Sequence, residues 1–397
     1  MTAIPRVRRR RTALMLAANL LAVVALAGFG YVGVRALQRY EGATKVGVTS
    51  IKLPVTPVGM LATVDADDEL TSIAVFVLKA GEQLGGSIVT VPVSSDSTAG
   101  AGDDRIPLTQ VYREGGAEAL SLAVESVLSI TLDVATVAAA VEAESLLQPV
   151  SPVPAVLPTD VLGEADGDTI VLFDAGDNSL SAAQTVQVLT ATADEQRDAD
   201  RRGNIEGVWS GVAASIGEGR TTPDVSAPVT TLAELLDRLF AAPVEARGLP
   251  ADPLPAAQNP DRKDVQNLVR SEAVFVLASV APASMTAPYP GLVFRIEAPL
   301  GYEDRVKFAV EAVLFLGANV VSVYLGGEEH EATRYLIDDP RLIEEAESNN
   351  ALFGLTETEA PDVPIEGIDV ILQLGTDFLT GEGNTLPSTT TSTTEPE

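Results

Sequence analysis

The sequence predicts an α/β protein: an N-terminal transmembrane helix, a larger domain of alternating strands and helices, and a small βαββαβ sandwich at the C-terminal end. Three observations carry this expectation. Ala13 to Val34 is apolar apart from Asn19. Strand-like and helix-like patterns then alternate over roughly 200 residues. Finally, the order β-α-β-β-α-β is legible in the last stretch of about 85 residues before the tail, which suggests a split-βαβ, ferredoxin-like arrangement.

The apolar run comes first. At 1.5 Å rise per residue it is long enough to cross a hydrocarbon core of roughly 30 Å. Arg6, Arg8, Arg9, Arg10 and Arg11 precede it with no acidic residue, so the positive-inside rule keeps residues 1–12 in the cytoplasm. The expected location is the cell membrane, crossed once at 13–34, with the bulk of the chain extracytoplasmic. Tyr31 and Tyr40 lie near the outer boundary. The competing reading is a cleaved signal peptide, since Ala25-Leu26-Ala27 has the small-x-small form of a cleavage site.

The 397 residues carry 26 Lys and Arg against 56 Asp and Glu, a formal net charge of −30. A surface this acidic repels phosphate backbones and argues against a nucleic-acid partner. No cysteine occurs, which excludes disulfides, thiolate metal sites and cysteine nucleophiles. His330 is the single histidine; it reads as a loop residue among acids, and no G-x-S-x-G elbow accompanies it to build a triad.

Residues 35–55 read as a juxtamembrane connection and 56–281 as the larger domain. Ile73 to Leu78 is a continuous apolar, β-branched run, the mark of a buried strand. Ser87 to Pro92 lies close enough to pair with it as a hairpin, and 94–104 is a small, acidic loop. A helix is expected over Ala117 to Leu128, with Leu120, Val124, Val127 and Leu128 on one face. The segment 131–147 combines a strand and a helix with no readable boundary, ended by Pro149, Pro152, Pro154 and Pro158. Thr169 to Phe173 reads as another buried strand. Helices are expected from Ser181 to Leu189 and over Ile205 to Ile216. Another runs from Thr231 to Phe240, where Thr231 and Glu234 form a capping box. The stretch 249–261 is rich in Pro and Ala, and 265–280 returns to an apolar pattern.

Residues 282–290 read as a linker to a second domain, 291–379. There Leu292 to Glu297 is a strand, and Tyr302 to Leu316 an amphipathic helix with Val306, Ala309, Val310, Val313 and Leu314 inward; Gly317 stops it. Asn319 to Leu325 and Thr333 to Ile337 are strands, Pro340 to Phe353 a helix, and Ile368 to Leu374 a closing strand. The Ser-, Thr- and Glu-rich end, 380–397, reads as disordered.

Several stretches resemble the LytR-CpsA-Psr (LCP) family. Leu108 to Leu120, containing Tyr112, Gly115 and Gly116, is similar to the family's turn, paired glycines and helix. Leu128 to Asp133 matches a helix end and following strand, and Leu180 to Val186 the helix before an arginine-rich segment. Leu314 to Val323 and Ile368 to Phe378 resemble the LytR C-terminal domain. The resemblance covers roughly 60–379. It implies an α/β/α sandwich for the larger domain, followed by a LytR C-terminal-like domain. It also implies an activity: moving a glycopolymer from a polyprenyl-diphosphate carrier to peptidoglycan. A diphosphate needs arginines for bidentate contacts and carboxylates for Mg.

The chain departs from the family where those groups belong. The family's Ile-Pro-Arg-Asp turn is Val91-Pro92-Val93-Ser94, and the aspartate of the preceding strand falls on Thr71 or Ser72. Paired arginines fall on Thr190 and Thr192, a later one survives as Arg201, and the next is Asn204. The remaining catalytic candidates are Arg197, Arg201 and Arg202, set against a solvated loop balanced by Asp194, Glu195, Asp198 and Asp200. Asp65, Asp67 and Asp68, with Glu69, are candidates for a divalent cation, set against a plain acidic turn. The expectation is a catalytically degenerate, membrane-anchored envelope protein that binds or scaffolds, with no cofactor. Its expected partners are the membrane and a polyprenyl-linked glycopolymer, peptidoglycan or other envelope proteins. The alternatives are an active phosphotransferase using Mg and a polymer receptor acting through the second domain.

Overall fold

The computed structural model describes residues 50–98, 104–165, 167–354 and 357–381. The predicted membrane helix, the basic end before it, residues 35–49 of the expected juxtamembrane connection and residues 382–397 of the tail lie outside these residues. Among the described residues no helix is long and apolar enough to cross a membrane.

Strands β1 (Val58–Val64), β2 (Leu70–Leu78) and β3 (Gly86–Val91) form an antiparallel meander. Helix α1 (Leu108–Leu128) follows, then β4 (Val134–Ala138), parallel to β1, and α2 (Ala140–Leu147). Next, β5 (Val153–Leu157), β6 (Val161–Ala165), β7 (Asp168–Phe173) and β8 (Gly176–Leu180) make two nested ribbons, β5 on β8 and β6 on β7. Helices α3 (Ala182–Thr190), α4 (Asp198–Ile216) and α5 (Leu232–Leu239) lead to β9 (Val244–Gly248), parallel to β3. The short pair β10 (Ala251–Pro253) and β11 (Gln266–Leu268) then precedes α6 (Arg270–Val280). The main sheet has the order β4-β1-β2-β3-β9.

All nine residues of β2 are buried, as a strand covered on both faces requires. Pleating sends Ile73, Val75 and Val77 into a core shared with Leu120 and Val124 of α1 and with α6. Ala74, Phe76 and Leu78 enter a second core with Leu189, Trp209 and Leu235 from α3, α4 and α5. Helices therefore cover both faces, and Phe76 meets Trp209 edge-on at 5.4 Å. Gly207 and Gly211 let α4 lie directly on β5, because a Cβ at either would collide with the carbonyl of Val156 or Pro154.

The second sheet is built from β12 (Val293–Ala298), α7 (Glu303–Phe315), β13 (Asn319–Leu325) and β14 (Arg334–Leu336). It is completed by the short helices α8 (Ile343–Glu347) and α9 (Asn350–Phe353), then β15 (Glu357–Glu359), β16 (Val370–Gln373) and α10 (Thr376–Leu379). Its order is β13-β12-β16-β14-β15. Phe294, Ile296 and Ala298 of β12 face the helices, with Val306, Val310 and Phe378 in the same core.

Four local expectations are corrected. The βαβ unit is not split, because β13 pairs directly with β12 in parallel while β16 takes the other side; the sheet is not ferredoxin-like. The strand at 169–173 exists as part of β7 but is not buried, with Val171 51% exposed, because it joins the outlying ribbon and not the main sheet. The helix expected from 117 begins at Leu108 and is broken at Gly116, whose φ of 68° suits glycine alone among common residues. The helix expected over 340–353 is divided into a 3-10 turn, Pro340–Leu342, followed by α8 and α9.

Two features tie the parts together. Ala273 to Ala278 of α6 are all buried, so every side of this helix is covered. They belong to one continuous core that reaches from Val58 in β1 to Leu379 in α10. In addition, each sheet starts a parallel pair with the same aspartate clamp. The Val58 N–H donates to Asp133 Oδ2 at 2.8 Å while Asp133 N–H donates to Val58 O at 2.8 Å. Val293 and Asp369 repeat this, with both bonds at 2.9 Å.

Truncating α6 removes contacts to α1 of the first part and to β13 and α7 of the second. Phe275→Ala is expected to lower unfolding free energy by about 3–5 kcal/mol in urea denaturation. Leu122→Ala, on the exposed side of α1, is expected to change it by less than about 0.5 kcal/mol.

Candidate functional site

Several of the residues that the family resemblance singles out come together at one end of the main sheet, where β1 turns into β2 and the chain leaves β3; Thr192 is exposed and Arg197 lies outside. Thr63, Thr71 and Ser72 form a buried hydroxyl cluster there: Thr63 Oγ1 lies 2.9 Å from Thr71 Oγ1 and 2.7 Å from Ser72 Oγ. These are neutral groups, and their hydrogen bonds are made to one another.

Beyond β3, Val93 is buried and Ser94 Oγ donates to Asp198 Oδ2 at 2.7 Å. Asp198 opens α4, and its own N–H donates to Asp264 Oδ2 at 2.8 Å. Arg202, one helical turn on, donates to Asp198 Oδ2 at 3.3 Å, to Gln266 Oε1 at 2.5 Å and to Ala251 O at 3.4 Å. A carboxylate and a guanidinium thus neutralise each other inside the site (Asp198 is 5% exposed).

Arg201 points to the other side of the same helix turn. It is 7% exposed and donates to Thr71 O at 3.3 Å and Leu189 O at 3.2 Å. Burial pushes its guanidinium below the ordinary arginine range, partly offset by the negative charges of Asp198, Asp65 and Asp264. Asn204 pairs with Thr159, donating to Thr159 Oγ1 at 3.1 Å. Arg197 stands apart: it is exposed, and its backbone N–H donates to Asp200 Oδ2 at 3.0 Å at the helix start. The segment expected as a possible solvated loop is therefore helical from Asp198 onward. Arg201 and Arg202 are brought into the site, and Arg197 is not.

Little room remains. One cavity between Ser72, Pro92, Asp198 and Arg202 measures about 10 Å³, and another between Val188, Gln196, Arg201 and Asn204 also measures about 10 Å³. Each is close to the smallest space that holds one water. A diphosphate does not fit without displacing these side chains.

The acidic candidates make a turn. Asp65 Oδ1 accepts the N–H groups of Asp67 at 3.0 Å and Glu69 at 2.9 Å. Asp68 accepts the Tyr112 hydroxyl at 2.8 Å, and Glu69 pairs with Arg113 at 2.6 Å. Burial and the neighbouring Asp68 push the Tyr112 phenol up to about 12. These oxygens fasten the β1–β2 turn to α1. Among the described residues no three His, Asp or Glu side chains gather around a point that could hold a metal ion.

Larger openings lie elsewhere. A cleft of about 610 Å³ runs between the end of α1, the start of α6 and α7. Its Arg270 guanidinium lies 4.5 Å over the Tyr289 ring, while Asp252 and Glu311 give the rim a net negative charge. A polar cavity of about 470 Å³ sits on the second sheet, bounded by Glu297, Tyr324, Arg334 and Gln373. His330, expected as a loop residue, is half-buried beside Arg334 on its edge. Sequence reasoning missed this set. The alternation in Val293–Ala298, which turns Arg295 and Glu297 away from the core, was the available signal. Gln266 and Asp264 were also missed, since only the closed fold brings them to Arg202 and Asp198.

No family model matches the chain, and no curated protein matches it. Similar solved structures include TagV of B. subtilis, 11% identical over 56% of this chain and 94% of that one, with a TM-score of 0.40. TagT bound to LIIa-WTA is 16% identical over 56% of this chain and 88% of that one, also at 0.40. The LytR-Csp2A-Psr enzyme from Actinomyces oris is 18% identical over 58% of this chain and 93% of that one, at 0.39. At this distance the likeness assigns neither fold nor function to the chain.

Asp198 serves the fold as the partner of a half-buried cation and a buried hydroxyl. Asp198→Ala strands both and is expected to lower unfolding free energy by about 3 kcal/mol. Asp198→Asn, which keeps an acceptor, should cost clearly less; parallel urea titrations of the two variants provide the check.

Proposed function

We propose that the chain is an envelope protein of the LytR-CpsA-Psr type, anchored by residues 13–34 with its bulk extracytoplasmic, that has kept the scaffold and lost the phosphotransferase chemistry. In this reading it binds or scaffolds where cell-wall glycopolymers are attached. Its partners are wall polymer, peptidoglycan or other envelope proteins.

One observation carries the proposal: the arginines left in the expected centre are turned onto the chain itself, and the spaces beside them, about 10 Å³ each, leave no room for a diphosphate. A diphosphate needs guanidinium groups facing an open cavity and carboxylates free to hold Mg. Arg201 is committed to two backbone carbonyls. Arg202 is committed to Asp198 and Gln266. Asp198 itself places a negative charge beside Ser94, where a phosphate would meet repulsion.

A second reading, an active phosphotransferase, has one observation in its favour. Arg201, Arg202 and Asp198 do meet at the sheet end where the family resemblance places the centre, so an opened state would present them together.

Thermal unfolding of the full-length chain with farnesyl diphosphate, with and without Mg, separates the two. The expected result is no shift in midpoint under either condition. A Mg-dependent rise that grows with ligand concentration, as mass action demands of native-state binding, would reinstate the transferase reading.

A further inference from the structure

The open face of the second sheet carries an arrangement that the preceding reading does not use. Strands β13, β12 and β16 run parallel, and in open α/β sheets ligands bind outside the carboxyl ends of such strands. Near those ends stand Tyr324 of β13, Glu297 of β12 and Gln373 of β16, all turned away from the helices. They border the cavity of about 470 Å³, a size that suits a small ligand.

The polar side chains there are tied into one row. Arg295 Nε donates to Glu297 Oε1 at 2.6 Å, Gln373 Nε2 to Glu297 Oε2 at 2.9 Å, and Arg334 Nε to Gln373 Oε1 at 2.6 Å. Arg334 Nη2 lies 3.2 Å from His330 Nε2. Side chains already held by each other lose little freedom when a ligand arrives. Each keeps spare capacity, since a carboxylate oxygen accepts more than one bond and a guanidinium has five donors. Beside the row, Tyr324 is 48% exposed, and the Arg295 guanidinium packs 5.2 Å from its ring centre.

Charge narrows the class. Glu297, Glu328, Glu359 and Asp362 line the cavity with Arg334, and Arg295 pairs with Glu297 beside it; the four carboxylates outnumber the two guanidinium groups, so phosphates and other anions are repelled. The acids are also too dispersed to enclose a metal ion among the described residues. What remains is a neutral or amine-bearing ligand with many hydroxyl groups, each both donor and acceptor, and with an apolar face for an aromatic ring. We infer that this face is a binding site for neutral or amino-substituted sugar rings. The inference goes beyond the proposed function: it concerns another surface and holds whether or not the first centre is inert.

The test is isothermal titration of the full-length chain with three probes: N-acetylchitotriose, its de-acetylated trimer and maltotriose. Glycerol 3-phosphate serves as the anionic comparison. At least one trisaccharide is expected to bind saturably, with affinity falling about tenfold or more in Tyr324→Ala and in Gln373→Ala. Tyr324 is a surface residue, so its substitution is expected to leave the thermal midpoint in place even if that of Gln373 does not. Absence of binding by all three sugars overturns the inference, as does binding unchanged in Tyr324→Ala, or glycerol 3-phosphate binding in their place. Because farnesyl diphosphate plays no part here, either result leaves the first-site experiment to be judged separately.

Discussion

A helix buried around its whole circumference has no stable existence outside its surroundings, and α6 is such a helix. Its six central residues, from Ala273 to Ala278, contribute apolar surface in every direction. The core they enter includes both the main sheet and the second sheet. Burial of this kind is worth roughly 25 cal/mol per Å² of apolar area, but only while both neighbours are present. The position of each sheet in this compact unit therefore depends on the other through α6, much as the two cores of the first sheet depend on β2. The polar rows on the two sheets are held in place by these apolar elements beneath them.

Within that frame the charged groups at the end of the main sheet serve the fold. A buried guanidinium survives only where fixed acceptors meet it. Arg201 is supplied by the carbonyls of Thr71 and Leu189, a strand and a helix that are distant in sequence. Arg202 draws Asp198, Gln266 and Ala251 together in the same way. Groups of the type that bind a phosphate ligand are here used as internal cross-links between α4, β10 and β11. The same economy appears at the β1–β2 turn, where an acidic run suggestive of a cation site instead caps its own backbone and holds Tyr112 and Arg113 of α1.

Strong periodicity made much of the architecture readable from sequence. The apolar run of β2, the alternation in β12 and the inward stripe of α7 each declare their neighbours through spacing alone. The capping box at Thr231 likewise marks the start of α5, and Ser181, read only as a helix start, caps α3 with Gln184 in the same way. The failures share a cause. Apolar content at 169–173 indicates a strand but not which sheet receives it, and β7 went to an outlying ribbon. Pairing order is a tertiary choice, so the βαβ of the second sheet could not be distinguished from a split one by element order. For the site, the neutral substitutions at Val93, Ser94, Thr71 and Thr190 were legible residue by residue. The commitment of Arg201 to carbonyls was not, because a carbonyl has no signature in sequence.

The repeated aspartate clamp bears on the order in which the chain can acquire structure. Asp133 follows Val58 by 75 residues, and Asp369 follows Val293 by 76. Each clamp therefore closes a long loop, and the entropy of that closure must be met before the parallel pair gains its hydrogen bonds. During synthesis β1 emerges well before the strand that fixes its register, and α6 emerges before the whole sheet that will cover its second side. Contacts of such sequence separation fold slowly. While they form, the apolar faces of β2 and α6 remain exposed to other chains, so assembly of this protein is most vulnerable after α6 has appeared and before residue 369 arrives.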